Sequence, residues 1–370
     1  MTNSWFQRYL LPGFVFQSVV IAGAYGSGKE LEQFFFKHGP LGGLLGMAVT
    51  MVIFSLVLMV TYEFSRRFKL FDYRNFCKAL LGPAWPIYEV LYILQMILVI
   101  SIVGATAGNM LHDAFGFPPY VGTTGIMALI GLIVFFGTTA LEKVLTVWTL
   151  VLYATYLAFF SWNFLQSGDQ IISNLQTIET SPGWWRSGVA YSGYNMAVVP
   201  AILFCVRRLQ GRRDAIIAGA LAGPLTMLPA MLFFVAMIGQ YGSIKAAGGD
   251  GLLPLSILVD ALAGGEFFVY LFPVVLFGTF VETGAAMIHG VNERIDSRFA
   301  EKGVAMPNGL RLLVALIILV IAIFLADSIG LTNLVAKGYG TITWGFLIVF
   351  VVPVLTFGIW RIYSAPAEKI

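Results

Sequence analysis

Gly23 to Glu30 reads GAYGSGKE, a stretch whose glycines and lysine suggest phosphate binding. It differs at one position from the P-loop pattern, G-x-x-x-x-G-K-[ST], in which the last hydroxyl binds magnesium. Glu30 stands at that position, and its carboxylate would repel phosphate. The apolar residues before the glycines are typical of a membrane helix and not of a buried sheet strand. We therefore expect no nucleotide at this stretch.

Three charged residues lie within long apolar stretches, namely Lys29, Glu30 and Glu282. An unpaired charge is costly inside a membrane, so such residues usually mark an ion or substrate pathway. Lys29 could stand in for a bound cation, pair with Glu30 or Glu282, or meet a substrate carboxylate. We predict that Lys29 plus a carboxylate replaces one ion site. The alternative is a static ion pair that orients helices.

The composition identifies the chain as an integral membrane protein. Its 370 residues are 58% hydrophobic and 11% charged, and the mean hydropathy is +0.85. Apolar runs long enough to cross a bilayer recur along the whole sequence. Hydropathy, with glycine, proline and charge as boundaries, predicts ten helices: Leu11 to Lys37, Leu41 to Glu63, Trp85 to Leu111, Gly122 to Thr139, Val144 to Phe164, Ser187 to Val206, Ala215 to Tyr241, Glu266 to Glu293, Leu310 to Asp327 and Tyr339 to Trp360.

The distribution of lysine and arginine gives the orientation. Positive charges accumulate in cytoplasmic connections, and with the N-terminus inside, 17 of the 22 lysines and arginines fall on the cytoplasmic side. We therefore expect a multi-pass protein of the cell membrane with both termini in the cytoplasm. Gln170 to Ile178 and Leu252 to Leu262 are expected as short amphipathic helices or packed loops on the outer surface.

Two of the predicted helices contain residues that disturb helical structure. The first carries Gly23, Gly26 and Gly28, and the sixth carries Gly188, Ser192, Gly193, Asn195 and Pro200. Irregular backbone at membrane depth is tolerated only where it is buried in protein or lines a cavity. The two helices are five apart, so the halves have opposite orientations, and paired discontinuities in an inverted repeat point to a transport site. Close packing at small residues is the alternative for a single glycine-rich turn.

The second and seventh helices agree with such a repeat more weakly. They carry Gly42-x-x-x-Gly46 and Gly219-x-x-x-Gly223, spacings that let helices approach closely.

The arrangement resembles the LeuT fold of the amino acid, polyamine and organocation transporter superfamily. Within it, GAYGSGKELEQFF is similar to the signature of the YkvI-like membrane proteins, roughly GAGFASGQE followed by a Phe-rich helix. Lys29 departs from that signature, which has an uncharged residue there. The resemblance implies an all-α membrane protein of ten helices in a five-plus-five inverted repeat, with helices one and six broken. The repeats would span about residues 8–166 and 184–362 of a single domain, 1–370.

The resemblance also implies a substrate site between the two breaks, walled by helices three and eight. Tyr88, Tyr92 and Gln95 share one face of helix three, which we expect to turn towards this pathway. The residues expected to bind substrate are Ala22, Gly23, Tyr25, Gly26, Ser27, Gly28, Tyr92, Gln95, Tyr191, Ser192, Gly193, Tyr194 and Asn195.

Ion coupling is expected beside the same breaks. In transporters of this fold, hydroxyls of helix eight join carbonyls of helix one to bind sodium. By resemblance, Thr279, Glu282 and Thr283 form a sodium site or a protonatable substitute, with sodium near Gly23, Thr279 and Thr283. Lys29 and Glu30 complete the expected coupling residues.

We interpret the chain as a secondary transporter of a small solute, an amino acid or a related amine or carboxylate, coupled to sodium or protons by alternating access. A ligand sensor that keeps this fold and acts through a partner protein is the alternative. We expect no enzymatic activity, no cofactor beyond a possible sodium ion, and no nucleic-acid partner; the expected partners are the solute and the lipid bilayer.

Overall fold

The structure is a computed structural model that describes residues 5–21, 23–136, 138–177, 180–248, 253–264, 266–300, 303–304 and 306–365. Across these residues it is helical and shows no strands, and the predicted all-α membrane fold is confirmed. The helices that correspond to the ten predicted ones are α1 (Phe6–Leu10, Leu11–Val20, Gly23–Gly26 and Lys29–Phe34), α2 (Gly39–Phe68), α3 (Trp85–Phe115), α4 (Pro119–Phe136), α5 (Thr138–Gln176), α6 (Trp184–Asn195 and Met196–Arg208), α7 (Arg212–Gly239), α8 (Glu266–Ala300), α9 (Asn308–Ile329) and α10 (331–364).

In lipid, a helix makes all of its backbone hydrogen bonds within its own segment, so long apolar runs fold as helices. Seven helical stretches of the described residues are long and apolar enough to cross a membrane, and Pro119–Val134 is a shorter apolar helix. Proline and glycine set several boundaries. Pro40 lies in the first turn of α2, and Gly116, with a φ of 72°, ends α3.

The first helix is interrupted in two places near its middle. At Ile21 the backbone leaves the helical region, with φ −76° and ψ 81°. Gly28 adopts a left-handed conformation, with φ 82° and ψ −5°, before the helix resumes at Lys29. Glycine is the residue that takes such a φ without strain. Gly28 therefore produces one interruption, the other lies at Ile21 just before the glycine-rich stretch, and Gly23–Gly26 between them forms a helical turn.

The sixth helix changes type where its irregular residues occur. It is α-helical from Trp184 to Asn195 and continues as a 3₁₀-helix from Met196 to Arg208, with Pro200 inside. Stretches of 3₁₀-helix this long are uncommon and often mark a hinge or a strained sequence. The expected discontinuity is thus a change of winding and not an open loop.

The halves of the two interrupted helices pack against each other in matching pairs. Leu11–Val20 contacts the 3₁₀ half of α6, and Lys29–Phe34 contacts its α-helical half. The glycines of α7 meet α2 so closely that neither Gly219 nor Gly223 has room for a Cβ atom beside Met59 and Ser55. These small residues bring helices together as predicted.

The two segments predicted to lie on the outer surface differ in their secondary structure. Residues through Gln176 continue α5 without a boundary near Gln170, so the first is not a separate helix; Ile178 lies outside the described residues. Pro254–Asp260 is a short helix, as predicted. It lies on the α1 break, where the Leu255 amide donates to the Ser27 carbonyl at 3.1 Å.

Candidate functional site

The α1 break lies where several helices meet. Residues 23–26 pack against α3 and α8, and residues 29–34 pack against α6 and the 334–339 segment of α10. This arrangement brings together the helices expected to surround the site. Ala22 lies outside the described residues, and of Gly23 only the backbone helix is described.

The backbone of the break is held by other parts of the protein. The Gly26 carbonyl accepts a 2.8 Å hydrogen bond from the Tyr156 hydroxyl of α5. The Ser27 carbonyl accepts from Leu255, and Gly28 packs beside Pro254. An unpaired carbonyl would be costly here, so these contacts stabilise the irregular turn. In this conformation both carbonyls are occupied by protein donors.

Lys29 pairs with Glu32, which was not among its predicted partners. Its side chain is completely buried, and its ammonium Nζ lies 2.8 Å from Glu32 Oε2. Pairing with Glu30 is therefore not what the structure shows, and the side chain of Glu282 lies outside the described residues. Residues three apart share a helix face whereas neighbours do not, which explains the choice of Glu32.

Glu30 points into a group of tyrosines. Its Oε2 accepts a 2.6 Å hydrogen bond from the Tyr194 hydroxyl. The Tyr191 and Tyr339 rings are close to the same carboxyl group, and the Tyr339 ring stacks on Tyr194 with centroids 4.1 Å apart. We call Tyr191, Tyr194 and Tyr339 the tyrosine cluster. It joins α1, α6 and α10 around one buried acid.

The three residues predicted to share one face of α3 lie in two different environments. Tyr88 is buried and donates to the Ala197 carbonyl of α6 at 2.5 Å. Tyr92 lies in the N-terminal part of α3, where its ring and that of Tyr73 each stand 3.9 Å from the Arg294 guanidinium. Gln95 is buried among the helices. Tyr92 is therefore placed in a cluster around Arg294, not with the break.

Several polar residues of α6 serve its own backbone or its packing. Ser192 donates to the Val189 carbonyl, and Asn195 donates to the Tyr191 carbonyl. Gly193 packs directly on Thr343 of α10. Of the predicted α6 residues, Tyr191 and Tyr194 are the two whose side chains reach the α1 segment after the break.

The expected sodium ligands on α8 are only partly described. Thr279 is buried and donates its hydroxyl to the Val275 carbonyl one turn earlier. Its oxygen retains lone pairs, so the group can still accept a cation. Thr283 is half-buried. A hydroxyl oxygen and helix-one carbonyls are the hard ligands that sodium requires, and the α8 helix packs on residues 23–26.

Several buried polar atoms on the helices that meet here have no hydrogen-bond partner among the described residues. Among them are Tyr25 Oη on α1 and Gln95 Oε1 on α3. Buried polar groups are normally satisfied, and exceptions call for an explanation such as a bound molecule. These two atoms offer one hydroxyl donor and one amide acceptor.

Other residues of the site carried little signal in the sequence. In the sequence, Glu32 is distinguished only by its position three residues after Lys29. Tyr156 and Tyr339 are ordinary aromatic residues of membrane helices, and they reach the break because of the fold. Nothing local to their sequence distinguishes them from packing residues.

Comparison with known proteins agrees with this architecture. No family model matches the chain. It is 22% identical over 293 residues, 77% of this chain and 80% of the relative, to the uncharacterized membrane protein YkvI of Bacillus subtilis (strain 168).

Two solved structures match most of the chain. A substrate-bound, outward-open sodium-coupled sialic acid symporter superposes with a TM-score of 0.65 and 12% identity, covering 98% of this chain and 92% of that one. MhsT in complex with L-phenylalanine gives a TM-score of 0.60 and 12% identity, covering 97% of each. The protein is thus an all-helical membrane protein with the LeuT fold. In sequence it is similar to YkvI, as GAYGSGKE predicted.

Proposed function

We propose that this protein is a secondary active transporter of a small solute, coupled to an ion and working by alternating access. The observation that carries the proposal is the doubly interrupted α1, packed against α3, α6 and α8 and flanked by unpartnered polar atoms. Paired discontinuities in opposite repeats build midplane solute sites in transporters. The shared fold with two symporters supports the same interpretation.

The chemistry of the unpartnered atoms suits an amino acid or a related amine or carboxylate. An amine donates to an acceptor such as Gln95 Oε1, and a carboxylate accepts from a hydroxyl such as that of Tyr25. A zwitterion satisfies both kinds of group. The substrate class proposed for this chain therefore remains that predicted from its sequence.

We propose two features for ion coupling, a sodium site and a buried ion pair. Sodium would bind near Gly23, Thr279 and Thr283. The Lys29 ammonium, with the Glu32 carboxylate as its partner, would occupy the place of a second ion. This modifies the predicted role of Lys29 by naming Glu32 as the carboxylate.

Thermal unfolding of the purified protein tests solute binding. Amino acids, amines and carboxylates are added one by one, in sodium, in potassium and at two pH values. A solute that binds the folded state raises the midpoint, by about 2.7 kcal/mol of stability at a hundred times its Kd. The Gln95→Leu variant removes the amide acceptor and should weaken the response. Leu98→Ala, a substitution on the same helix, serves as the control for stability alone.

A solute that stabilises the protein only in sodium supports sodium coupling, and one that responds to pH supports proton coupling. No response to any solute in any condition would contradict the proposed substrate class. An unchanged response in Gln95→Leu would remove Gln95 from the site.

A further inference from the structure

The Glu30 carboxyl group has an unusual environment for a charged residue. The side chain is 3% exposed, and it accepts a hydrogen bond from the neutral Tyr194 hydroxyl at 2.6 Å. Tyr339 stacks on Tyr194 and also faces the carboxyl. The surrounding rings are closely packed, with Phe34 5.5 Å from Tyr191 and 5.6 Å from Tyr194 between centroids.

The charged groups near Glu30 do not neutralise it. On its own helix, the Lys29 ammonium is directed to Glu32 at 2.8 Å, and Tyr25 lies before the turn. From α6 the facing groups are Tyr191 and Tyr194, and from α10 the facing group is Tyr339. Lys337, on the same segment of α10, is exposed. Among the described residues, no ammonium or guanidinium pairs with the Glu30 carboxyl.

Keeping a carboxylate ionised in such a buried place without a charged partner costs much free energy. Such a group takes up a proton instead. Tyrosine hydroxyls suit either form of the acid. They donate to a carboxylate, and they accept from the O–H of the protonated acid. The tyrosine cluster can therefore hold the acid both before and after a proton binds.

We propose that Glu30 is a proton-binding site that couples proton uptake to closure of the outer half of α1 against α6 and α10. The coupling role rests on the transport function proposed above, whereas the proton site itself does not. A proton from the outer solution forms an O–H bond on the carboxylate when the three helices close around it. When the site next opens to the inner solution and water reaches the acid, the O–H bond breaks and the proton leaves to that water.

The position of Glu30 explains how one proton would bias the conformation. The carboxyl is contacted by residues of α6 and α10 while it belongs to α1, so any separation of these helices exposes it. An ionised Glu30 favours the separated, hydrated arrangement, and a protonated one favours the packed arrangement. A ligand shifts such an equilibrium only by its different affinity for the two states. In this account Lys29 and Glu32 remain an ion pair and carry no transported proton.

Infrared spectroscopy of the purified protein tests the site directly, with the proton as the probe. The C=O stretch of a buried, protonated carboxylic acid is recorded as pH is raised, in potassium and in sodium. We expect a band that disappears as pH rises, is absent in Glu30→Gln, and is unchanged in Glu89→Gln, whose carboxylate lies 3.9 Å from Arg294 and away from the tyrosine cluster. Tyr194→Phe should shift the band without removing it, because the hydroxyl partner is lost and the acid is kept.

Several results would overturn the proposal. One is a band that persists in Glu30→Gln, which would place the acid elsewhere. Another is a spectrum with no protonated acid at any pH at which the protein is folded. Loss of the band on adding sodium at constant pH would assign the site to sodium instead.

A second measurement separates the coupling role from the transport function. In liposomes, with a solute found by the stabilisation assay, wild type should accumulate it faster with an inward proton gradient. Glu30→Gln should lose this stimulation and keep solute exchange across membranes with equal pH on both sides. Stimulation that persists in Glu30→Gln contradicts the coupling role. Absence of any solute movement in wild type contradicts transport and leaves the infrared result standing on its own.

Discussion

Lys29 and Glu32 form a buried ion pair whose contribution to the stability of the protein can be measured. Removing one partner of a buried pair leaves the other charge uncompensated, which costs about 3–5 kcal/mol in soluble proteins. We predict that Lys29→Met lowers the unfolding midpoint strongly, because Glu32 is only 11% exposed. The double variant Lys29→Met with Glu32→Gln should recover part of the loss. Equal losses in the single and double variants would show that the two groups are not coupled.

Tyr156 satisfies a carbonyl that the α1 break would otherwise leave unpaired. Tyr156→Phe should reduce stability by about 1–3 kcal/mol, since the buried Gly26 carbonyl loses its partner. Amide hydrogen exchange at residues 23–28 should increase at the same time. Tyr62→Phe is the control, because it removes a similar hydrogen bond, from the Tyr62 hydroxyl to the Pro12 carbonyl at 3.1 Å in the Leu11–Val20 segment of α1. This variant should leave amide exchange at the break unchanged. Equal exchange in both variants would contradict the local role of Tyr156.

At the scale of single residues, the sequence drew attention to Lys29 and Glu30 but did not predict the residues that they contact. Lys29 and Glu30 stand out because they are charged inside an apolar stretch. Their different fates follow from helix geometry: Lys29 shares a face with Glu32, while Glu30 points about a quarter of a turn away. The choice of Tyr194 and Tyr339 could not be predicted, because it depends on how α6 and α10 pack on α1.

The helix Pro254–Asp260 depends on the shape of the α1 break. Gly28 has a φ of 82°, and a Cβ atom there would lie 3.0 Å from Pro254. We predict that Gly28→Ala costs about 1–2 kcal/mol for the left-handed backbone, and more for the displaced Pro254. Gly116→Ala is the matched control, because Gly116 has a φ of 72° and open space around it. Equal losses would show that the contact with Pro254 contributes nothing.

His38, in the connection between α1 and α2, contacts the N-terminal end of α6. Its Nε2 lies 2.7 Å from Ser187 Oγ, and burial, followed by the nearby Lys37 charge, lowers the pKa of His38. The unfolded chain then binds a proton more readily than the folded one. Stability should fall as pH decreases from about 6.5, the ordinary histidine value, towards the lowered value. His38→Gln should flatten thermal unfolding midpoints across this range, and a slope unchanged by the substitution would contradict the assignment.

The elements themselves followed from simple patterns. Apolar length and glycine or proline boundaries predicted the order of the helices, whereas the orientation derived from positive charge remains a prediction. The α1 helix is interrupted at the predicted Gly28 and also at Ile21, while Gly23–Gly26 is helical. The form of the α6 discontinuity was not predictable, because residues compatible with a loop also fit a 3₁₀-helix once neighbouring helices supply the packing. The division into two repeats, about 8–166 and 184–362, remains a prediction.

For the whole molecule, the central claim is that the interrupted helices form a pathway for a solute and an ion. The LeuT fold is shared with two sodium-coupled symporters at 12% identity, and fold alone does not determine function. The chain's own features, namely buried charges beside a broken helix and unpartnered polar atoms around it, indicate a ligand site, which both a transporter and a sensor need. Measured flux is therefore what separates the two interpretations.

Uptake into sealed liposomes is the measurement that tests this claim most directly. Purified protein is reconstituted, and labelled amino acids, amines and carboxylates are supplied outside with an inward sodium gradient, an inward proton gradient, or neither. The account predicts accumulation of one solute class above its outside concentration, only with a gradient, and its loss when the gradient is dissipated. Saturable binding of a solute with no flux under any gradient would contradict transport and favour a ligand sensor.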